Sequence, residues 1–243
     1  MANSFFQFKQ FTIHQDRCAM KVTTDACLFG AILASEISST NDFSFALDIG
    51  TGTGLLSLML AQQIPSMKIK AMELDPIAAI QASENIDSSP WKNNIELIQG
   101  NILDHEPGAV YDLIFSNPPF YENDLDSPDE KINLARHNAE LSLAKLFLQI
   151  RKLLKEQGEA WLLLPYRRQN EISQLLSEND LFTRKIILVR NSAKHDYFRI
   201  IVNIKKEKHA LDETDIDEFT IYDSNESYTA AFEELLQLYY LRL

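Results

Sequence analysis

The stretch FALDIGTGTGLL, residues 45–56, constrains this chain more than any other. A short apolar run meets glycines at 50, 52 and 54 and passes straight into a helical run. Glycines so placed let the backbone turn sharply and approach a ligand where side chains would collide. The same alternation then repeats. KIKAMEL (68–74) predicts a second strand and PIAAIQASENID (76–87) a helix with Pro76 in its first turn; NIELIQG (94–100) and YDLIFS (111–116) predict a third and a fourth strand. Strands alternating with helices in this way predict a parallel sheet made of βαβ units.

The pattern continues to the end of the chain. LSLAKLFLQIRKLLKEQG (141–158) has helical spacing with a stop glycine at 158, EAWLLLP (159–165) reads as a strand and RRQNEISQLLSEND (167–180) as a helix. KIILVRN (185–191) and FRIIVNIKK (198–206) are strands that can pair antiparallel; FTIYD (219–223) and YTAAFEELLQLYYL (228–241) predict a last strand and helix. Residues 121–137 are polar and without periodicity, an exposed loop of the length that is often functional.

With 243 residues, 45% of them hydrophobic, there is enough chain for one sizeable α/β domain or two small ones. No window approaches the roughly 18 uninterrupted apolar residues of a membrane span, and MANSFFQFKQ lacks the pattern of a signal peptide, so a cytoplasmic protein with no membrane partner is expected. Cys18 and Cys27 have no companions at metal-ligand spacing, and no metal is expected. A net charge of −12 argues against a nucleic-acid partner only as a bulk number. Residues 131–209 hold 16 Lys and Arg against 8 Asp and Glu, whereas both flanks are acidic. Such asymmetry marks either a nucleic-acid face or scattered solvated charges.

Dinucleotide enzymes space their glycines G-x-G-x-x-G to seat a pyrophosphate; here the spacing is G-x-G-x-G, which suits an adenosyl ligand without one. Glu73, at the end of the second strand, is placed to accept hydrogen bonds from ribose hydroxyls. Asp75 can cap the helix that follows, and Asp48 is either a turn or capping carboxylate or a ligand contact. SNPPFY (116–121) lies just past the fourth strand, at the edge where open α/β sheets bind ligands. Two prolines there either end the strand or hold a site rigid.

Together these residues resemble the class I S-adenosylmethionine-dependent methyltransferases. DIGTGTG corresponds to the cofactor turn, Glu73 to the ribose acid, and Asn117-Pro118-Pro119-Phe120 to the signature of enzymes that methylate a nitrogen conjugated to a planar system. The resemblance implies a Rossmann-like α/β fold: a mostly parallel seven-stranded sheet with one antiparallel strand and helices on both faces. It implies S-adenosyl-L-methionine as cofactor, held by Asp48, Gly50, Thr51, Gly52, Gly54, Glu73, Leu74, Asn101 and Asn117. The signature has a chemical logic. The Asn117 side-chain oxygen and the Pro118 carbonyl can each accept one N–H of an amino group, turning its lone pair toward the sulfonium methyl. Pro119 restricts Pro118, and Phe120 can stack on the base.

Further stretches are similar to one bacterial family, the valine-tRNA adenine-N6 methyltransferases, which modify the adenine next to the anticodon. Residues 8–31 match its N-terminal segment, whose Lys21, Thr24 and Asp25 are expected over the cofactor; Asp25 can instead cap the helix after it. Ala135-Arg136-His137 matches its A-R-H triplet, so Tyr121, Arg136 and His137 are expected to contact substrate. Two departures stand out: Gly100-Asn101 where many class I enzymes have Asp, and Thr23 where Gly is expected. The chain is then a single methyltransferase domain over 1–243: a cofactor-covering segment (1–44), a catalytic core (45–209) and an acidic strand-helix extension (210–243). tRNA is the expected partner, and a monomer or weak dimer the expected state. Rival readings are an rRNA guanine-N2 enzyme, a protein-glutamine N5 methyltransferase and a non-catalytic cofactor-binding protein.

Overall fold

In the computed structural model, residues 3–39, 43–105, 110–118, 141–207 and 214–243 are described. A short hairpin, β1 (Phe5–Gln7) with β2 (Thr12–His14), precedes helix α1 (Thr24–Ser38). The glycine-turn unit follows as β3 (Phe45–Ile49), α2 (Leu55–Gln63), β4 (Lys68–Glu73), α3 (Pro76–Asp87), β5 (Ile95–Gln99) and β6 (Tyr111–Ser116). Then come α4 (Leu143–Leu153), β7 (Leu154–Pro165), α5 (Gln169–Glu178), β8 (Phe182–Arg190), β9 (Tyr197–Lys205), β10 (Asp215–Thr220) and α6 (Ala230–Leu236).

The main sheet has the order β10-β8-β9-β7-β6-β3-β4-β5, with β9 antiparallel to both of its neighbours and every other pairing parallel. Alternation along the strands splits the core in two. Ala46, Leu113 and Trp161 face a layer holding α1, α2 and α6, while Leu47, Ile114 and Leu162 face α4 and α5. Crossovers β3-α2-β4 and β6-α4-β7 leave adjacent strands in opposite directions across the sheet. The crevice at the ends of β3 and β6 is therefore the topological switch point, where folds of this kind bind ligands.

Several expectations need correction. Among the described residues the sheet has eight strands, not seven, because the acidic extension adds β10 beside β8. That strand covers Asp215–Thr220 rather than 219–223: DIDEFT looks too acidic for a strand, but at a sheet edge its carboxylates reach water and the cations of β8. The helix expected over 141–158 ends at Leu153, since Leu154 turns extended to pair with Tyr111 and is fully buried. Gly158 is thus no helix stop. It lies within β7, where a Cβ would stand 2.9 Å from the Asp112 carbonyl oxygen and 3.0 Å from that of Tyr111. The terminal helix spans only Ala230–Leu236; beyond it Tyr239 and Tyr240 turn inward, and Phe8 bridges to Tyr240. Thr23, standing where Gly was expected, is the N-cap of α1, its hydroxyl accepting from the Ala26 amide at 3.4 Å. Asp25 caps nothing and pairs with Arg199 at 2.7 Å.

Candidate active site

The glycine turn is built by backbone conformations that favour glycine: φ is 71° at Gly50, 58° at Gly52 and 83° at Gly54. Gly50 and Thr51 amides donate to the Met72 carbonyl, at 2.9 and 3.0 Å, which ties the turn to the end of β4. Glu73 finishes the clasp. Its Oε2 accepts from the Gly52 amide at 2.8 Å and its Oε1 from the Asp75 amide at 3.0 Å. A carboxylate has about four lone-pair sites, so both oxygens keep capacity for ribose hydroxyls. Asp75 caps α3, accepting from Ile77 and Ala78 amides at 2.7 and 3.2 Å.

Beneath the turn, Asp48 is fully buried. Its Oδ2 accepts from the Thr51 hydroxyl at 2.6 Å and the Ser57 hydroxyl at 2.7 Å, while Oδ1 has no partner among the described residues. Burial pushes the Asp48 carboxyl up to about 7, against those two hydrogen bonds. On the neighbouring strand the Ser116 hydroxyl donates to the Ile49 carbonyl at 2.6 Å. One buried bond thus holds the exit of β6, and with it Asn117, against the exit of β3.

A single cavity brings these pieces together. Gly50, Gly52, Glu73, Leu74, Asn101 and Asn117 are on its wall, with Ile49, Met72, Ala78 and Ile102 as apolar surface. A Cβ on Gly50, Gly52 or Gly100 would meet nothing within 4 Å, so the backbone there leaves a cradle that side chains would fill. Asn101 Oδ1 accepts from the Leu103 amide at 3.0 Å and caps a short 3-10 turn. Apolar walls, a glycine cradle free of side chains and a carboxylate with spare acceptor capacity suit an adenosyl group.

The other expected residues sit elsewhere. Asp48, Thr51 and Gly54 lie behind the turn rather than on the wall; Gly54 is the N-cap of α2. Thr24 opens α1 and Asp25 faces Arg199, both off the wall. Lys21 turns back on its own segment, donating to the Gln15 carbonyl and, at 3.1 Å, to that of Cys18. Pro118 is buried just past β6. Pro119, Phe120, Tyr121, Arg136 and His137 lie outside the described residues.

Sequence reasoning missed the apolar wall residues Ile49, Met72, Ala78 and Ile102, the wall stretch Cys18 to Met20, and the side chains that hold that stretch there. Gln81 Oε1 accepts from the Arg17 and Cys18 amides at 3.0 and 3.1 Å, and Gln81 Nε2 donates to Asp16 at 2.7 Å. Asn85 Oδ1 accepts from the His14 amide, and its Nδ2 donates to the carbonyls of His14 and Thr53, all at 2.9 Å. Both amides are essentially inaccessible to solvent. A signal existed: Ala78, Gln81, Ala82, Asn85 and Ile86 share the buried stripe of α3, where polar residues need partners.

Where it is described, the basic block, 131–209, carries half-buried or exposed cations, many of them paired with acids. Lys155 pairs with Asp112 at 2.6 Å, Lys205 with Glu159 at 3.0 Å and Arg199 with Asp25 at 2.7 Å. Lys185 meets Glu36 and Asp217 at 2.8 and 3.1 Å, and Arg190 meets Glu218 at 3.1 Å.

Comparison with known proteins agrees with this geometry. The family profile described as Methyltransferase small domain matches residues 29–201. A tRNA1(Val) (adenine(37)-N6)-methyltransferase of Bacteroides thetaiotaomicron is 38% identical over 245 aligned residues, covering 100% of both chains. The protein of that name from Actinobacillus pleuropneumoniae is also 38% identical, over 98% of each chain, and that of Parabacteroides distasonis is 44% identical over 74% of this chain and 75% of its own. Among solved structures, a predicted O-methyltransferase from Agrobacterium tumefaciens superposes with a TM-score of 0.63 at 14% identity, covering 88% of this chain and 95% of its own. A putative class I S-adenosylmethionine-dependent methyltransferase from Listeria monocytogenes gives 0.61 at 13% identity, over 83% and 67%. At such identities the structures speak for the fold alone, but the full-length relatives speak for more. The chain belongs to the tRNA1(Val) (adenine(37)-N6)-methyltransferase family.

Proposed function

We infer that the protein transfers a methyl group from S-adenosyl-L-methionine to the exocyclic N6 of adenine 37 in tRNA1(Val), the activity for which its full-length relatives are named. The observation that carries the chemistry is the cavity itself, in which Asn117 shares a wall with Gly50, Gly52 and Glu73. When bound, the cofactor supplies a methyl group activated by its sulfonium.

The residues of this chain then do the rest. Glu73 takes ribose hydroxyls on the lone pairs left free by the Gly52 and Asp75 amides. Leu74, Ala78 and Ile102 would supply apolar surface for the adenine, and Asn101 its side-chain amide. Asp48 braces the turn through Thr51 and Ser57 instead of touching the cofactor's ring or ribose. Lys21, Thr24 and Asp25 act by positioning the covering segment.

At the acceptor, the exocyclic nitrogen of adenine shares its lone pair with the ring and is a weak nucleophile. Two fixed acceptors, the Asn117 side-chain oxygen and the Pro118 carbonyl, draw its two N–H bonds to one side and expose the lone pair for in-line attack. Attack by that nitrogen would form its new bond to carbon at the expense of the methyl's bond to the cofactor sulfur, and the methylated nitrogen would then shed its proton to solvent. Pro119, Phe120, Tyr121, Arg136 and His137 lie outside the described residues, and their assignment to rigidity, base stacking and RNA contact rests on the sequence motif alone. The site of action is the cytoplasm, where tRNA matures in bacteria.

Mass spectrometry of tRNA nucleosides tests the reading. tRNA1(Val) from cells lacking the protein loses N6-methyladenosine, and purified protein restores it in vitro; unchanged N6-methyladenosine would sink the assignment. Asn117→Ala is expected to bind cofactor normally while turnover falls by about 10²-fold or more, since one acceptor and the geometry it sets are gone.

A further inference from the structure

The sheet edge that carries Asn117 extends sideways into a group of side chains that the methyl-transfer site does not use. Tyr166 directly follows Pro165, the last residue of β7. Because β9 runs antiparallel, its first residues lie at this same edge, with Arg199 opposite Pro165 and Tyr197 opposite Arg190. The rings of Tyr166 and Tyr197 stand 5.4 Å apart at 59°, and the Arg190 guanidinium lies 5.4 Å from the centre of the Tyr197 ring. Arg190 is fixed in turn by the Thr220 hydroxyl at 3.0 Å and by Glu218. Both tyrosines are half-buried, anchored and yet open to a ligand. Beyond them the loop between β8 and β9 exposes Lys194 and His195, with the Ser192 hydroxyl 2.9 Å from His195 Nδ1.

Carboxylates temper the charge here: Glu218 on Arg190, Asp25 on Arg199, Glu171 on Arg168, and Asp196 in the loop. Duplex binding rests on open cations that neutralise phosphates, and this edge offers few. Aromatic rings with a planar guanidinium suit unstacked bases instead. Strands lie about 4.8 Å apart, so the group spans about 5 to 15 Å from the end of β6, the distance to neighbours of a base held at Asn117. An adenine delivered to Asn117 leaves its stack, and its neighbours need new surfaces to rest on.

We propose that the Tyr166–Tyr197 shelf, with Arg190 behind it and Lys194 at its rim, stacks the unpaired nucleotides flanking the target adenine. The proposal rests on the tRNA reading above and adds where the loop lies. Steady-state kinetics on a tRNA1(Val) transcript should show the KM for tRNA rising about tenfold in Tyr166→Ala and in Tyr197→Ala, the scale of one lost stacking contact, with cofactor Kd unchanged. Tyr197→Phe keeps the ring and recovers most of the affinity. Unchanged KM in both alanine variants overturns the shelf. Photo-crosslinking of the wild-type protein to tRNA carrying a photoreactive base beside position 37 needs no variant. Adducts within residues 166–168 or 194–197 support the shelf, and adducts confined elsewhere overturn it. Wild-type protein that forms no N6-methyladenosine defeats the tRNA reading itself, whereas wild-type turnover with unshifted variants defeats the shelf alone.

Discussion

The two segments outside the glycine-turn core are attached in different ways. The N-terminal segment reaches α3 through side-chain amides: Gln81 and Asn85, both buried, bind its backbone and set Cys18 to Met20 on the cavity wall. The C-terminal extension is attached by strand pairing of β10 on β8 and by aromatic packing, with Phe232 fully buried and stacked on Tyr228 at 4.3 Å. The first adds polar, directional bonds beside the cavity to the apolar burial of Phe8, Phe11 and Ile13; the second is strand pairing and apolar packing, with none of its described residues on the cavity wall. The first should therefore govern cofactor affinity and the second stability.

That contrast can be broken by experiment. Phe232→Ala should cost about 3–5 kcal/mol in urea unfolding, as large aromatic truncations do, with cofactor Kd by calorimetry unchanged. A large rise in Kd would erase the distinction. Gln81→Ala leaves the Arg17 and Cys18 amides without their acceptor and should cost about 1–3 kcal/mol. Its sharper signature is a cofactor Kd raised about tenfold, for about 1.4 kcal/mol of lost wall contact, with kcat at saturation little changed. Equal Kd in the two variants would assign the covering segment no role in binding.

Asp48 separates the cavity from both attachments by pH. Its native carboxyl titrates at about 7, above the ordinary value of about 4, so the native state holds a proton that the unfolded chain has released. Its contribution is complete below about pH 4 and is lost as the pH rises through about 7. The stability of wild type relative to Asp48→Asn should fall across that window, and parallel pH profiles would contradict it. Smallest of all, Lys185→Ala breaks the bridges to Glu36 and Asp217 but should cost less than about 1 kcal/mol, since both acids are partly solvated.

The parallel core was legible because its signals are local. FALDI, PIAAIQASENID and YDLIFS have the same bounds in the structure as in the sequence reading, each set by apolar runs and by Asp75-Pro76 or Gly punctuation. Long-range features were not. Leu154 leaves its helix for a partner strand more than 40 residues earlier, at Tyr111, and Gly158 serves the backbone it crosses rather than the helix it follows. The stripe of α3 marks Gln81 as buried, but its partner, the segment around Arg17, lies 64 positions away and is not legible from it. The basic block reads in sequence as either a nucleic-acid face or scattered solvated charges; among its described cations Lys155, Lys185, Arg190 and Arg199 answer acids in the flanking blocks, pairings decided by sheet order. Asn117, Glu73 and the glycines were legible because strand ends in this topology converge whatever the loops do.

Strand β10 has a consequence for how molecules of this protein behave in a crowd. Without it, β8 would present a row of open amides and carbonyls, a template on which another chain could add a strand and begin a fibre. With it, the outermost strand carries Asp215, Asp217 and Glu218 around the exposed Ile216. Charged residues along that outermost strand disfavour edge-to-edge pairing of two copies there, even with Asp217 and Glu218 bridged to Lys185 and Arg190.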